Sequence, residues 1–442
     1  MPSLSLKPPC HNQHRGSVVI AVLIMAIMVV TTVSLYLRNA VQEMKYAERT
    51  FALQQSINLA EMGAEDAFLA INTDNWSGWS ELAHDCFYRN YSTEHSGEQI
   101  YVYVDRTDHS DIWMTAGSEI DVTGNSVEKQ IYIRLGYRSL FQNGLTAKNN
   151  IIMNGNQIKV DSYNSDKGQY HHTNNRNDNG SVASRSVEVD SVVVQNADIF
   201  GYVATGGSEP KVGSQGSITG FDTPNGVQID SNRVSTDFYA DLPDVTMPVN
   251  TGVMTSLSSY FLGSSGSSTN YLLNGLNIKN NTALYVLGQV GLVIDTDITI
   301  GGDLIVFPGA KLTLYLKGDA NISGLGIVNL SGKPENLVIY GTATQDKGQT
   351  IRLSGAAAMA AVIYAPNAEM ELKGGGNNKG VFYGAVVAKN ISIKGNYDFH
   401  YDEALKDFSP DKTYQMLEWR ELSAAKDRYP LKFPDSLVSY KQ

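Results

Sequence analysis

The first pattern along the chain is an uninterrupted apolar run near the N-terminus. Residues 18–37 read VVIAVLIMAIMVVTTVSLYL, without a single charged side chain. A helix of that length rises about 30 Å, which matches the hydrocarbon core of a bilayer. The run therefore predicts a transmembrane helix that the mature protein retains.

A cleaved secretory signal is the competing interpretation of this run. The apolar core of such a signal usually covers about 7–15 residues and ends at a small-x-small site. Here the run is longer, and Arg38-Asn39-Ala40, which follows it, is a poor cleavage site. Basic residues flank the run on both sides, so they do not fix its orientation in the membrane.

After the run the pattern becomes amphipathic. Residues 38–72 contain no proline, and apolar side chains recur mostly at three- and four-residue steps opposite a charged face. This spacing is typical of a helix with one buried side. It predicts that the membrane helix continues as a stalk, in one rod from about residue 18 to about residue 71 that is about 80 Å long.

Alternation with a period of two begins after residue 76. Residues 100–104 and 130–135 combine β-branched and aromatic side chains in alternation, and Gly124-Asn125 supplies turn chemistry between them. The pattern predicts a small sheet that packs on the helix before it.

From about Phe141 to His400 the chain predicts many short strands without long helices between them. Seven apolar or alternating segments recur, each close to Gly, Asn or Asp: residues 298–300, 304–306, 312–316, 337–339, 351–353, 370–372 and 391–393. The absence of crossover helices argues against a doubly wound α/β fold and for a sandwich or a parallel β-solenoid. We favour the solenoid, because such short strands suit coils that supply two or three faces each. The Gly- and Ser-rich residues 263–268 are expected to separate two sets of coils, and residues 413–422 read as a helix that caps the body.

Composition excludes some partners. The chain has 442 residues, with 45 acidic and 34 basic side chains and a formal charge of −11. Nucleic acid is not an expected partner, because phosphate binding needs clustered Lys and Arg. The two cysteines, Cys10 and Cys86, lie on opposite sides of the apolar run, so they indicate neither a disulfide framework nor a metal site.

The N-terminal residues resemble a known family. Arg15-Gly16-Ser17-Val18-Val19-Ile20, the apolar run and the LAEMGAE segment at 59–65 look like the N-terminus of PilX-type minor pilins, which are type IV pilus biogenesis proteins. The resemblance implies cleavage after Gly16, with Ser17 as the mature N-terminus. Major pilins carry Glu at the fifth mature position, where this chain has Ala21, so the resemblance favours a minor or tip-type role.

The body resembles a second family. Residues 160–170, 362–368 and 399–405 are similar to motifs of an uncharacterised bacterial domain that often follows PilX-type N-termini. The combined expectation is a mainly β protein with a pilin-like helix and a parallel β-solenoid. Its parts would be a cytoplasmic leader (1–16), a transmembrane helix and stalk (17–72), a small β-containing domain (73–140), the solenoid body (141–402), and a helical cap and tail (403–442).

Three residue groups are candidates for chemistry. Asp161, Asn164 and Asp166 carry oxygen ligands of the kind that calcium prefers, although ordinary turns contain the same residues and the spacing is not that of an EF-hand. Paired carboxylates on a β-helix can cleave polysaccharide, and Asp295, Asp297 and Asp303 are close in sequence. Solvent-facing turn residues are the commoner explanation for that group. The third group, His171, His172 and His400, lacks zinc-site spacing.

These observations favour a structural role over an enzymatic one. The predicted function is a single-pass inner-membrane, pilin-like subunit or assembly protein of a type IV pilus or related filament. Its body would lie in the periplasm or on the cell surface, for adhesion or assembly, and no cofactor is expected unless calcium binds. Expected partners are the membrane, other pilin-like subunits contacted through the N-terminal helix, and surface glycans. The alternative is an envelope-tethered β-helix that binds or cleaves carbohydrate.

Overall fold

A single helix of 57 residues, α1 (Ser17–Thr73), opens the part of the chain that the structure describes. The computed structural model describes residues 17–94, 97–122, 125–137, 139–155, 157–248, 252–253, 260–324, 326–355, 358–374, 379–409 and 414–437. The predicted continuous rod is confirmed, and at 1.5 Å per residue it is about 85 Å long. Its buried side chains begin only at Ala52.

The chain divides into two compact units, and the second is inserted in the sequence of the first. Unit 1 comprises residues 1–137 and 413–442, and unit 2 comprises residues 138–412. Unit 1 begins with α1 and five antiparallel strands: β1 (Ser80–Ala83), β2 (Cys86–Ser92), β3 (Glu98–Asp105), β4 (Asp111–Val122) and β5 (Asn125–Tyr137). The strands predicted at 100–104 and 130–135 lie within β3 and β5. Gly124 of the predicted turn lies outside the described residues.

Unit 2 is built from short, mostly parallel strands. They are β6 (Leu145–Ala147), β7 (Ile151–Gly155), β8 (Ile158–Tyr163), β9 (Gly180–Ser184), β10 (Val192–Val194), β11 (Ala197–Thr205), β12 (Lys211–Val212), β13 (Ser217–Thr219), β14 (Val234–Ser235), β15 (Gly252–Val253), β16 (Phe261–Leu262), β17 (Ser268–Leu273), β18 (Leu276–Ile278), β19 (Ala283–Val286), β20 (Gln289–Ile294), β21 (Ile298–Ile300), β22 (Asp303–Val306), β23 (Lys311–Leu316), β24 (Ala320–Ile322), β25 (Gly326–Asn329), β26 (Leu337–Gly341), β27 (Gln349–Gly355), β28 (Ala358–Gly374), β29 (Gly380–Gly395) and β30 (Tyr397–Asp402). Four 3₁₀ helices lie among and after these strands: Ser165–Lys167, Ser231–Arg233, Pro334–Asn336 and Glu403–Asp407.

These strands stack in parallel ladders, which confirms the predicted solenoid. The first face runs through β15, β17, β20, β23, β26, β28, β29, β6, β9, β11 and β14. The second face runs through β18, β21, β24, β27, β28, β29, β7, β10 and β12. All seven segments predicted as strands in the body lie within strands.

The core of unit 2 consists of aliphatic rows that follow the ladder register. Because side chains alternate across a strand, every second residue points into the solenoid and stacks on its equivalent in the next coil. One such row is fully buried and consists of Leu292, Leu314, Ile339, Ile363, Val386, Leu145 and Val182. Alternation therefore identifies the inward residues correctly.

The order of coils in space differs from the order in sequence. Strand β29 pairs with β6 and β7, and β30 pairs with β8, so the last coil stacks on the first coil of the unit. The chain thus enters the solenoid in its middle and winds to one end at β14. It then returns to the opposite end and winds back to the middle.

The return is made by a linker after β14, not by the Gly- and Ser-rich residues 263–268. The latter form a turn between β16 and β17 within one coil, so the predicted position of the break is wrong. The linker side chain of Leu242 is buried, the Tyr364 hydroxyl donates to the Pro243 carbonyl at 2.7 Å, and Asn367 Nδ2 donates to Asp244 Oδ1 at 2.8 Å.

After unit 2 the chain returns to the sheet of unit 1. The sequence predicts a helical cap over residues 413–422, but these residues contain strand β31 (Tyr414–Glu421), which pairs antiparallel with β5. The helix prediction is wrong because the hydrogen bonds to the open edge of β5 outweigh the preference of this segment for a helix. A 3₁₀ helix (Ala425–Asp427) and a short helix α2 (Pro434–Leu437) follow.

Candidate functional site: the exposed helix and its packing surface

Residues 18–37 of α1 form an apolar surface that none of the described residues covers. The apolar side chains of residues 18–37 are exposed, and α1 is the helix among the described residues that is long and apolar enough to cross a membrane. The hydroxyls of Thr31 and Thr32 bond back to the carbonyls of Ile27 and Met28 at 2.9 and 2.8 Å. These polar groups are therefore satisfied within the helix, as a bilayer requires. The helix fits a single-pass membrane anchor.

The C-terminal half of α1 packs on the sheet of unit 1. Ala60, Ala64, Ala67 and Ile71 are buried against a cluster of sheet residues that includes Ile100, Val102, Val104, Ile112, Met114, Ile131 and Ile133. The contact is close at Gly63, where an added Cβ would lie 2.7 Å from Ile100 Cγ2 and 2.8 Å from Val102 Cγ2. Small residues on one helix face thus allow α1 to lie directly on the strands.

Beside α1, the described residues leave part of the same sheet face open. The sheet order is β1-β2-β3-β4-β5-β31, so β31 forms an edge beyond the strands on which α1 packs. A groove of about 560 Å³ lies here, between Glu61, Ala64, Glu65 and Phe68 of α1, Met114 and Ile133 of the sheet, and Met416 and Trp419 of β31. The groove is apolar, and carboxylates line its helical side.

The residues between which the pilin resemblance implies cleavage fall at the start of the helix. Ser17 is the first residue of α1, and Gly16 lies outside the described residues. Cleavage after Gly16 stays a prediction.

The side chains of the three residues proposed for calcium each have different partners within the protein. Asp161 is 1% exposed, pairs with Arg176 Nε at 2.6 Å, accepts from the Tyr170 hydroxyl at 3.0 Å and contacts His400 Nδ1. Asn164 Oδ1 accepts from the Asp166 amide at 2.9 Å and caps a 3₁₀ helix. The carboxylate of Asp166 pairs with Lys333 at 2.9 Å instead.

The carboxylate of Asp161 is thus already neutralised within the protein. Among the described residues, no group of three or more His, Cys, Asp or Glu side chains could hold a metal ion. Calcium binding at Asp161, Asn164 and Asp166 stays a prediction, and it would require Asp161 to exchange its partners.

His400 belongs to this buried network. The ring of Tyr170 stacks on that of His400 with a centroid distance of 3.8 Å, and burial raises the pKa of the Tyr170 hydroxyl. Nearby, burial also raises the pKa of Asp402, whose Oδ1 accepts from the Ser165 amide at 2.9 Å. The network joins β8, β30 and the loop after β8.

The other two histidines of that group are exposed in the loop after β8. The rings of His171 and His172 stack on each other with a centroid distance of 4.8 Å. The Thr173 amide donates to His171 Nδ1 at 3.3 Å, so this nitrogen serves a turn.

The aspartates considered for polysaccharide cleavage lie in turns and on a strand end. Asp295 pairs with Lys317 at the surface, and both side chains are more than 40% exposed. Asp297 Oδ1 accepts from the amide of Asp319 at 2.8 Å, and Asp319 Oδ1 accepts from the amide of Thr350 at 2.8 Å. Successive turns are thus joined by carboxylate-to-amide bonds, which is a structural use of these residues. Asp303 starts β22.

The sequence does not identify Glu61, Glu65 and Trp419 as a group. The two glutamates follow one another at a four-residue step on α1, but Trp419 lies near the other end of the chain, in a segment that the sequence predicts as a helix. Only the pairing of β31 with β5 brings them to one groove.

Comparisons with known proteins give two findings. Residues 250–408 match a family model described as "Domain of unknown function (DUF7305)", a match that lies within unit 2. The crystal structure of the competence-associated pilin ComZ from Thermus thermophilus matches with a TM-score of 0.32 and 10% identity, over 85% of this chain and 97% of that chain. No curated protein matches the sequence. A structural likeness at this level does not establish a function, and the PilX-type assignment stays a prediction.

Proposed function

We propose that this chain is a membrane-anchored, pilin-like structural or assembly protein of a type IV pilus or a related filament. The observation that supports it is that two parts of one continuous helix have different surroundings. Residues 18–37 of α1 are uncharged and exposed, whereas residues 60–71 pack through small residues on an antiparallel sheet. An ordinary membrane anchor does not need the packed segment of the helix. A filament subunit does need it, because the helix must hold the folded domain at a fixed distance from the apolar segment.

In this proposal helix α1 and the chain beyond it have different functions. Helix α1 crosses the inner membrane once and packs with other pilin-like subunits, and the chain beyond it lies in the periplasm or on the cell surface. The solenoid is a rigid body with buried rows of aliphatic side chains and serves adhesion or assembly, with surface glycans as a candidate ligand. It performs no catalysis.

Processing and orientation test the proposal together. In wild-type cells, mass spectrometry should find Ser17 at the mature N-terminus, and Gly16→Glu should leave residues 1–16 attached. Asn39→Glu is the matched control, because it alters the region that a conventional signal peptidase would use and should not change processing. A reporter that is active only in the cytoplasm, fused after Leu140, should be silent. A mature chain that keeps Met1 or begins near Ala40 contradicts the pilin-like function, and so does an active fusion.

A further inference from the structure

The described residues leave the outer surface of the solenoid's first face open over β17, β20 and β23. On β28 the outward side chain of Tyr364 is buried, and its hydroxyl contacts the linker. On the three open strands the outward side chains of Asn270, Gln289 and Thr313 are exposed or half-buried. A groove of about 200 Å³ lies between them and Pro248 of the linker, and we call it the first-face groove. Pockets for drug-sized ligands hold about 300–1,000 Å³, so this groove suits a smaller ligand, such as a single ring.

An aromatic ring forms one wall of the first-face groove. The ring of Tyr315 stacks on that of Tyr340 in the next coil, with a centroid distance of 5.0 Å and an angle of 17° between the ring planes. In the coil on the other side, the residue that pairs with Tyr315 is the smaller Val293, and both line the groove. One face of the Tyr315 ring is therefore covered, and the other is directed into the groove. Such a face carries negative potential and attracts the partly positive C–H groups of a ligand.

Polar groups line the rest of the groove. The amides of Asn270 and Gln289 and the hydroxyl of Thr313 line it without a side-chain hydrogen bond to any of the described residues. The Asn270 amide lies over Gly291, where an added Cβ would be 2.2 Å from Asn270 Oδ1. An amide side chain both donates and accepts hydrogen bonds. A sugar ring matches this surface, because it has a face of C–H groups and an edge of hydroxyls that donate and accept.

One cation lies beside this polar surface. Among the described residues that line the groove, Lys311 alone is charged, and it has no ion-pair partner in the part of the chain that the structure describes. Its Nζ lies 5.6 Å from the centroid of the Phe408 ring. A phosphate monoester carries about −1.5 to −2 charges at pH 7, more than one lysine neutralises, whereas a carboxylate carries one. A carboxylate on the ligand would receive a charge-assisted hydrogen bond from Lys311.

We propose that the first-face groove binds one sugar residue that carries a carboxylate. The sugar ring would lie on Tyr315, its hydroxyls on Asn270 and Gln289, and its carboxylate on Lys311. The proposal rests on the proposed function, because only a solenoid outside the cytoplasm meets surface glycans. It adds to that function the position of the site and the chemical class of the glycan.

Binding of the full-length chain in detergent to immobilised oligosaccharides tests the class of ligand. The probes contain glucuronate, galacturonate, mannuronate or sialic acid, and each is also presented as its methyl ester. At least one acidic probe should bind, and its ester should bind about tenfold more weakly, because it lacks the charge that pairs with Lys311. Absence of binding to every acidic probe would overturn the proposal. An ester that binds as tightly as the acid would overturn the assignment of the carboxylate.

Substitution of Lys311 tests the site with the acidic probe that binds. Lys311→Gln should lower the affinity about tenfold, to that of the methyl ester. The matched control is Lys279→Gln, which removes the same charge from an exposed lysine outside the groove and should leave the affinity unchanged. An equal loss in both variants, or no loss in Lys311→Gln, would contradict the site.

Substitution of the wall tests the position of the sugar ring. Tyr315→Leu keeps an apolar side chain and should weaken the acid and the ester alike, because both present the same C–H face. Asn270→Ala changes an exposed side chain, should also weaken both, and replaces the first variant if Tyr315→Leu lowers the thermal midpoint. Unchanged binding in these variants would overturn the site. If Ser17 is the mature N-terminus and the fusion after Leu140 is silent, failure of the binding tests removes the glycan site and leaves the pilin-like function intact.

Discussion

A buried charge on the outer side of the solenoid shows how single residues fasten loops to the coils. Asp161 neutralises Arg176, whose guanidinium lies 4.6 Å and 5.0 Å from the rings of Phe200 and Phe221. The carboxylate therefore holds two loops on the coils, one through Arg176 and Tyr170 and the other through Phe221. Breaking a buried pair by removal of one partner leaves the other charge without compensation.

We expect Asp161→Ala to lower the free energy of unfolding by about 3–5 kcal/mol, because Arg176 and His400 would lose their acceptor inside the protein. Asp295→Ala is the matched control, since its pair with Lys317 is exposed and contributes roughly 0–1 kcal/mol. Urea unfolding of both variants measures the difference. Equal costs would show that the Asp161 network is not fully formed. A calcium-dependent midpoint in the wild type that Asp161→Ala abolishes would instead support the predicted calcium site.

Individual inward residues could be predicted, but the partners of Asp161 could not. Leu314, Leu353 and Ile393 follow the two-residue period that burial imposes on a strand, and all three are buried. His400 is 239 residues from Asp161. Their contact depends on stacking of the last coil on the first, and no local pattern carries that information.

At the scale of elements, β31 decides how unit 1 is completed. Its residues Met416 and Trp419 lie opposite Leu135 and Ile133 of β5, and a bulge at Leu417 separates the two pairs. The sequence predicts a helix here because this short segment contains neither Gly nor Pro. A strand that pairs with a sheet edge from a distant part of the sequence has no local signal beyond its β-branched and aromatic content, and β31 contains no β-branched residue.

The segment after β31 is tied to the sheet by an ion pair that acid should break. Lys432 Nζ lies 2.7 Å from Glu119 Oε2, and this contact holds the pKa of Glu119 below its usual range. A lowered pKa stabilises the fold above the pKa of the unfolded chain, about 4.3, and the effect disappears as the pH falls through the lower folded value. The direction of the pH effect is thus fixed by the contact.

We expect Lys432→Met to cost about 1 kcal/mol at pH 7, because both side chains are partly exposed. The difference between wild type and variant should shrink as the pH falls below about 4.3, and it should be lost once the pH has passed through the lowered pKa of Glu119 in the folded wild type. Denaturant unfolding of the full chain in detergent at pH 7 and pH 3 measures it. A difference that persists unchanged at pH 3 would mean that packing of the Lys432 stem, and not the ion pair, carries the effect.

For the whole molecule, the linker between β14 and β15 is the feature that joins two blocks of coils into one solenoid. On the first face, β15 and β14 are the two ends of a ladder of eleven strands, so ten spacings of about 4.8 Å, or about 48 Å, separate them. The chain has 17 residue steps from Ser235 to Gly252, which reach at most about 60 Å. The linker has little length to spare.

Deletion of residues 237–242 should therefore prevent closure of the solenoid. Eleven steps reach about 40 Å, less than the distance to be spanned. The matched control replaces the same six residues by Gly and Ser, which keeps the length and removes only the contacts of these residues. We expect the control to fold with a lower thermal midpoint and the deletion to leave unit 2 sensitive to protease. A deletion variant as resistant as the control would contradict the stacking of the last coil on the first.

The stacking of β29 on β6 determines the order in which the coils of unit 2 can fold during synthesis. Val386 pairs with Leu145, so nearly the whole of unit 2 must be synthesised before the first coil acquires its neighbour on one side. Until then the edges of β6, β7 and β8 are open, and open strand edges are sites of aggregation. Such long-range pairing also slows folding. A chain with this topology needs protection of its first coils until residues 380–402 have been synthesised.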